Sequence, residues 1–560
     1  MINQKLKLMR IAGVAATILG LSACATNGGD MASDTGVDQV MAERALFSPE
    51  RIRADVTFLA DDLLRGRDTG SEGHRIAANY VAAEFARLGL KPAGENGGYF
   101  QEVPFQTAQV LENGGSMSIT VGGETRELTM GDEFFMSGSV KNPAGEVSAD
   151  LVFVGFGVHA PDVGHDDFAG LDLEGKIAVA INGAPSSFNT ETRAHHGSNG
   201  TKGKALNDRG AVGLITLNTL AGEKSRPFSR LKRFIGFKSF DWVVPEGDVA
   251  PSAIKIGATI SHDVARQLFE GAEADLDTVL KQAEEGAPSG FALKTQASMK
   301  RDSTLSEKFD SPNVLAVLEG SDPTLKDEYV VLTAHLDHIG VNSTDAGETI
   351  NNGALDNASG VSILLEVARA YVRENQRPRR SILFTIVTAE EKGLLGAEYF
   401  VHYPTVSKSQ MVANVNVDMP ILLYDFTDMV AFGAERSSLG PITEQALAKI
   451  GVSLSPDPMP EQGIFTRSDH YRFVQKGVPS VFLVTGWGEG VSGKDGGAIF
   501  RQFLGSTYHS PGDNLGQSID YAAGAKFAHA NWLIASAIAN GDTRPTWNEG
   551  DFFGDTFGAK

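Results

Sequence analysis

The chain has 560 residues, 42% of them hydrophobic and 21% charged, which excludes both a disordered chain and a multi-span membrane protein. Its length suggests several compact units at roughly 100 to 200 residues each. Asp and Glu outnumber Lys and Arg by 70 to 49, for a formal net charge of -21, so there is no basic field to neutralise the phosphates of a nucleic acid.

Residues 1–24 carry an export pattern. Lys5, Lys7 and Arg10 form a basic start, and the apolar run 11–21 is too short to span a bilayer, as in a signal peptide. The run ends in Leu21, Ser22, Ala23 and Cys24, which resembles the bacterial lipobox, where the thiol accepts a diacylglycerol. The resemblance implies a protein of the bacterial cell envelope, lipid-anchored at Cys24; Ala25 after it implies the outer membrane, facing the periplasm or the exterior. Cys24 is the only cysteine, so the mature chain has neither disulfide nor cysteine metal site. Residues 25–45 begin rich in Gly, Ser, Asp and Asn and read as a flexible tether.

Helical periodicity follows over 51–64 and 73–88, separated by the polar loop 65–70 and closed by Gly89. From about Thr107 to Leu293 short β-like runs with Gly-rich turns take over, among them 116–121, 151–154, 177–181 and 213–217, with a helix over 202–209. Their spacing, with Gly175, Lys176 and Ala205, resembles a protease-associated (PA) domain. His195 and His196, in a stretch rich in Gly, Ser and Asn, read as solvated. From Pro312 apolar runs of strand length at 314–318, 329–334, 381–388, 412–417 and 481–485 alternate with helices at 358–373 and 394–403. That pattern is an α/β domain with a mostly parallel sheet covered by helices. Residues 519–540 form a last helix, and the tail 546–560 reads as loosely held.

Metal-capable residues stand just past the carboxyl ends of these runs, where open α/β sheets bind ligands. The run 329–334 delivers His335 and then Asp337, and Asp356 stands before the helix 358–373. The run 381–388 leads to Glu390 and Glu391 and the run 412–417 to Asp418, while His509 lies in a turn-rich stretch. Two zinc-like ions roughly 3.5 to 4 Å apart need oxygen and nitrogen ligands, a shared carboxylate against their repulsion, and open positions for water. Of the adjacent Glu390 and Glu391, one can serve the metal and the other can move a proton.

The segments 335–338, 352–360, 389–396, 416–419 and 508–513 resemble the co-catalytic zinc exopeptidases of the M28 type. Order and spacing agree, with 21 residues from His335 to Asp356, 34 from Asp356 to Glu390 and 27 from Glu391 to Asp418. Residues 64–92, with Gly66, Arg67 and Gly89, resemble the start of that catalytic domain. The resemblance implies a zinc-exopeptidase fold in two stretches, 46–106 and 296–545, split by a β-rich PA-like insert at 107–295. It implies two zinc ions: His335 and Asp418 on one, Glu391 and His509 on the other, with Asp356 bridging. Glu390 becomes the general base and Asp337 the carboxylate that orients His335. Residues 467–470 match a family stretch near the substrate pocket, where His470 either contacts substrate or oxyanion or braces a loop. Residues 486–506 are longer and more glycine-rich than the family pattern and read as a lid or a narrowing of the site.

Oligomeric state and the polarity of the exopeptidase stay open, with Asp425, Arg436 and Arg467 as candidates to meet a substrate terminus. Glutaminyl cyclase, which shares the fold, and a non-catalytic surface binding protein are the alternative readings. The expected function is a metal-dependent aminopeptidase, hydrolysing N-terminal residues from peptides by a zinc-activated water.

Overall fold

The computed structural model describes residues 46–558 apart from 247, 249–253, 287, 345–346 and 376. The export pattern, Cys24 and the tether lie outside the described residues, among which no helix is long and apolar enough to cross a membrane.

The strand Tyr329–His335 lies between Ser381–Val387 and Met411–Val417, parallel to both, and Ser480–Thr485 extends the parallel run beyond Met411–Val417. Antiparallel strands flank it: Phe309–Leu318 pairs with Ser381–Val387, and Asp428–Phe432 with Ser480–Thr485. The result is a mixed sheet with a parallel centre. Its strands are apolar on both faces because helices cover both. Val330, Leu332 and Ala334 join one core with residues of the helices Pro49–Leu59, Ser359–Glu374 and Tyr521–Asn540. Val331 and Leu383 join another with Ala397 and Phe400 of Leu395–His402 and with Phe473 of His470–Val474. Parallel direction brings the ends of Tyr329–His335, Ser381–Val387 and Met411–Val417 to one edge, where His335, Glu390, Glu391 and Asp418 emerge.

The sheet continues into residues 107–295 through one 22-residue strand, Phe100–Val121. It pairs first with Phe309–Leu318 and then with Phe291–Leu305. Phe291–Leu305 in turn pairs with Ala144–Phe153, followed in parallel by Ile177–Ile181, Gly213–Leu217 and Gly257–Ile260. Period-two alternation gives the insert a separate core on each face of its sheet. Leu151 and Phe153 pack with Leu268 and Leu280 on one face, while Val152 and Val154 pack with Leu206 on the other.

Two local expectations change. His195 and His196 are not solvated: they are buried on the helix Thr190–Gly197, where the Tyr471 hydroxyl lies 2.6 Å from His195 Nδ1 and both rings lie against Phe552. The tail is not loose, because Phe552–Phe557 is a helix whose Phe553 is fully buried against Phe465. The glycine-rich stretch 486–506 ends in the helix Gly496–Ser506, whose N-cap Asp495 accepts the Ala498 amide at 2.8 Å.

Candidate active site

Asp356 stands between two groups of side chains. Its Oδ1 lies 3.2 Å from His335 Nε2 and its Oδ2 lies 3.3 Å from His509 Nε2. On one side Asp418 Oδ1 is 3.0 Å from His335 Nε2; on the other Glu391 Oε2 is 3.0 Å from His509 Nε2. His335, Asp356 and Asp418 present ligand atoms within 4.8 Å of one another, as do His338, Asp356 and Glu391. The structure thus brings together His335, Asp356, Glu391, Asp418 and His509, with Glu390 beside them, and adds His338.

Each of these groups is held from behind. The Asp513 carboxylate accepts the Leu355 and Asp356 amides, both at 2.9 Å, and fixes the loop that carries Asp356. Ser468 donates to Asp418 Oδ2 at 2.6 Å while accepting from Asn416 at 2.8 Å. Asp337 differs from expectation. Its main-chain carbonyl, at 3.0 Å, is the partner of His335 Nδ1, and its carboxylate lies 3.9 Å away. That carboxylate instead accepts the amides of Glu390 at 3.0 Å and Glu391 at 3.3 Å, and the Thr69 hydroxyl at 3.1 Å. A side chain two residues past the strand cannot curl back onto the imidazole when it already anchors the neighbouring strand's exit.

Buried Arg67 ties the two ligand loops together. It donates to the carbonyls of Leu336 at 2.9 Å, Asn352 at 2.6 Å and Gly353 at 3.1 Å, and to that of Leu59. Gly66 before it has φ +69, and a Cβ there would sit 2.3 Å from the Asn351 carbonyl oxygen, so only glycine admits this approach. Non-glycine residues in the left-handed region also gather here: Ala389 (φ 56) before Glu390, Met419 (φ 45) after Asp418, and His509 itself (φ 53).

The donor set fits divalent metal. Imidazole and carboxylate without thiolate is a ligand set zinc accepts. Glu391 Oε1 and His338 Nδ1 lie 2.7 Å apart, yet neither has a directed hydrogen bond among the described residues. Buried carboxylates crowd here: burial, with Asp418, Asp469 and Glu391 nearby, pushes the Glu390 carboxyl well above the usual range, and burial with Asp418 pushes Asp469 to about 8. Asp469, His338, Asp513 and Arg67 sit inside the recognised segments but carry no separate role there, and Arg67 acts through backbone that only the fold assembles.

A cavity of about 310 Å³ opens over Asp356, Glu390 and Asp418, walled by Met419, Phe432, Ile464, Phe482, Phe500 and Leu504. Phe500 and Leu504 belong to the helix Gly496–Ser506, so this end of the stretch read as a lid or a narrowing forms part of the cavity wall. His470 does not reach the cavity. It is fully buried, 5.2 Å from the Phe465 ring and 5.3 Å from that of Phe482, and burial pushes its pKa down to about 3. It therefore braces the wall as a neutral ring rather than contacting substrate. Among the candidates for terminus recognition, Arg467 lines the cavity. Arg436 is committed to Glu191 at 3.0 Å and Asp551 at 3.1 Å, and Asp425 to the Ser492 hydroxyl at 2.8 Å.

The insert touches this wall. Its helix Thr190–Gly197 packs on the turns Pro460–Gln462 and Ile464–Thr466 that supply Gln462 and Ile464 to the cavity. Between them is Gly463 (φ +59), where a Cβ would meet Thr190 Cγ2 at 3.3 Å and Ala194 Cβ at 3.5 Å.

Residues 313–535 match Peptidase family M28. Over a longer span, a probable leucine aminopeptidase 2 of Aspergillus oryzae is 24% identical over 510 residues, 85% of this chain and 83% of its own. A probable zinc metalloprotease of Pyrenophora teres f. teres is 36% identical over 107 residues, 19% of this chain and 22% of its own. Among solved structures, an aminopeptidase from Aneurinibacillus sp. strain AM-1 is 19% identical with a TM-score of 0.45, covering 88% of this chain and 94% of its own. Both of these sequence relatives are peptidases by name.

Proposed function

We propose that this chain is a peptidase of the M28 family, a zinc-dependent aminopeptidase that takes two zinc ions and removes apolar N-terminal residues from peptides. One observation carries the reading: Glu390 shares its cavity with Asp356 and Asp418 on the floor and with an apolar wall sized for a side chain. The match to a probable leucine aminopeptidase 2 supports the same polarity. When bound, zinc polarises the scissile carbonyl and makes water a better nucleophile. His335 and Asp418 would hold one ion and Glu391 and His509 the other, with Asp356 placed between the two groups. Glu390 takes a proton from the attacking water and delivers it to the departing amine. The walls fix the substrate side chain and exclude bulk water from that transfer. Cys24 anchors the enzyme by lipid in a bacterial envelope, and residues 107–295 form a PA-like domain; the export pattern supports the first of these assignments and the strand spacing the second.

Mass spectrometry of a defined peptide mixture, with free, acetylated and Gln N-termini, tests the reading on zinc-loaded protein lacking residues 1–24. Stepwise loss of N-terminal residues from free peptides, absent with Glu390→Ala, is the expected result. Loss of ammonia from N-terminal Gln without shortening would establish a cyclase instead, and an unchanged mixture would leave a binding protein.

A further inference from the structure

The insert contains a second cavity, of about 480 Å³, that shares no lining residue with the catalytic one. On its wall is Arg301, from the strand Phe291–Leu305, only 6% exposed. Its Nη2 donates to the carbonyls of Asn142 at 2.6 Å and Lys255 at 2.8 Å, and its Nε has no partner among the described residues. Burial lowers its pKa, with no carboxylate near enough to oppose that shift. A buried guanidinium without a counter-ion among the described residues is unfavourable, and buried arginines are ordinarily paired.

Asn199 and Gly200 line the same cavity and open the nine-residue helix Asn199–Asn207. Amides in a first turn have no acceptor within their helix; of these, the Thr201 amide is taken by the N-cap Ser198 hydroxyl at 3.3 Å. Those of Asn199 and Gly200 belong to the positive end of the helix dipole, which favours an anion. Thr216 and Thr259, whose hydroxyls are 2.9 Å apart, add further polar lining, and Phe135, Leu214, Leu231 and Ile254 make the rest apolar. Among the described lining residues none is acidic.

We propose that this cavity binds a carboxylate carried on an apolar body, with Arg301 and the first turn of Asn199–Asn207 as its anion-binding groups. The C-terminus of a peptide ending in an apolar residue and a small free acid share this chemistry. The site stands on the insert alone and does not depend on the aminopeptidase reading.

Calorimetric titration of the full chain with N-acetyl-leucine, acetyl-Gly-Gly-Leu and their C-terminal amides tests the site. Both acids, or the peptide acid alone, bind at least tenfold more tightly than the matching amide; the first outcome names a small carboxylate as sufficient, the second a peptide end. Arg301→Gln weakens acid binding at least tenfold. Gly200→Glu abolishes it while keeping the fold: a Cβ at Gly200 meets nothing within 4 Å, and an acid in a first turn suits the dipole. Equal binding of acid and amide, no binding, or acid binding untouched by both substitutions would overturn the proposal, the last placing the carboxylate on the catalytic centre.

Discussion

Arg67→Met keeps the side chain's length and removes the guanidinium on which four main-chain carbonyls depend. Arg67 is 1% exposed, so water cannot replace it without opening the fold. At the low end of about 1 kcal/mol for each buried carbonyl left unpaired, the cost is about 4 kcal/mol. At roughly 2 °C per kcal/mol for a large domain, the melting temperature of the catalytic domain falls by about 8 °C. The carbonyls follow His335 directly and precede Asp356 by three and four residues, so both ligand loops lose their common anchor. Outer partners of this kind tune metal affinity by roughly 10- to 100-fold. Thermal unfolding with and without zinc reads the first effect and competition with a chromogenic chelator the second. A variant that melts within 1 °C of the parent and holds zinc within twofold would refute the assignment of Arg67 as the tie between the loops.

Asp356→Ala removes the carboxylate shared by both clusters, so metal analysis after dialysis finds neither ion retained, whereas Asp418→Ala leaves the second group of ligands whole and keeps one. Glu390→Gln lowers kcat by roughly 10² to 10⁴ while metal content stays that of the parent, since Glu390 belongs to neither cluster; loss of metal would make it a ligand instead. Burial holds His195 neutral, with a pKa near 3 against 6.5 in an exposed ring. The unfolded chain gains a proton there as pH falls through about 6.5 and the folded one does not, so this stability is present at neutral pH and is lost on acidification, by about 2 kcal/mol from pH 7 to 5. His195→Gln therefore flattens the acid side of the stability curve by that amount in urea titrations across pH; curves that stay parallel would show that the ring titrates in the folded state.

The strand exits were legible because each is a continuous apolar run ending in a polar metal-capable residue, a local pattern that survives into the fold. His335, Asp356, Glu390, Glu391, Asp418 and His509 meet because the parallel strands share one edge, and that follows from the alternation of strands and helices. What lay out of reach depends on partners distant in the chain. His195 lies in a polar stretch and is buried by Tyr471 and the helix Phe552–Phe557, more than 270 residues on. Arg67 acts on carbonyls, which have no sequence signature. The Asp337 carboxylate serves two amides on the next strand's exit rather than its own neighbour, a distinction of direction that residue type does not encode.

The seam between the helix Thr190–Gly197 and the cavity wall has three fastenings: Thr190 against Gly463, Glu191 to Arg436, and His195 to Tyr471. The cavity is accordingly walled by one stretch of chain and backed by another that is not contiguous with it, and a catalytic half trimmed of residues 107–295 would keep the ligand residues while losing the backing of the turn that carries Gln462 and Ile464. Exchanging inserts between relatives should then shift which side chains are accepted at constant chemistry, making the insert a determinant of the enzyme's specificity rather than a passenger.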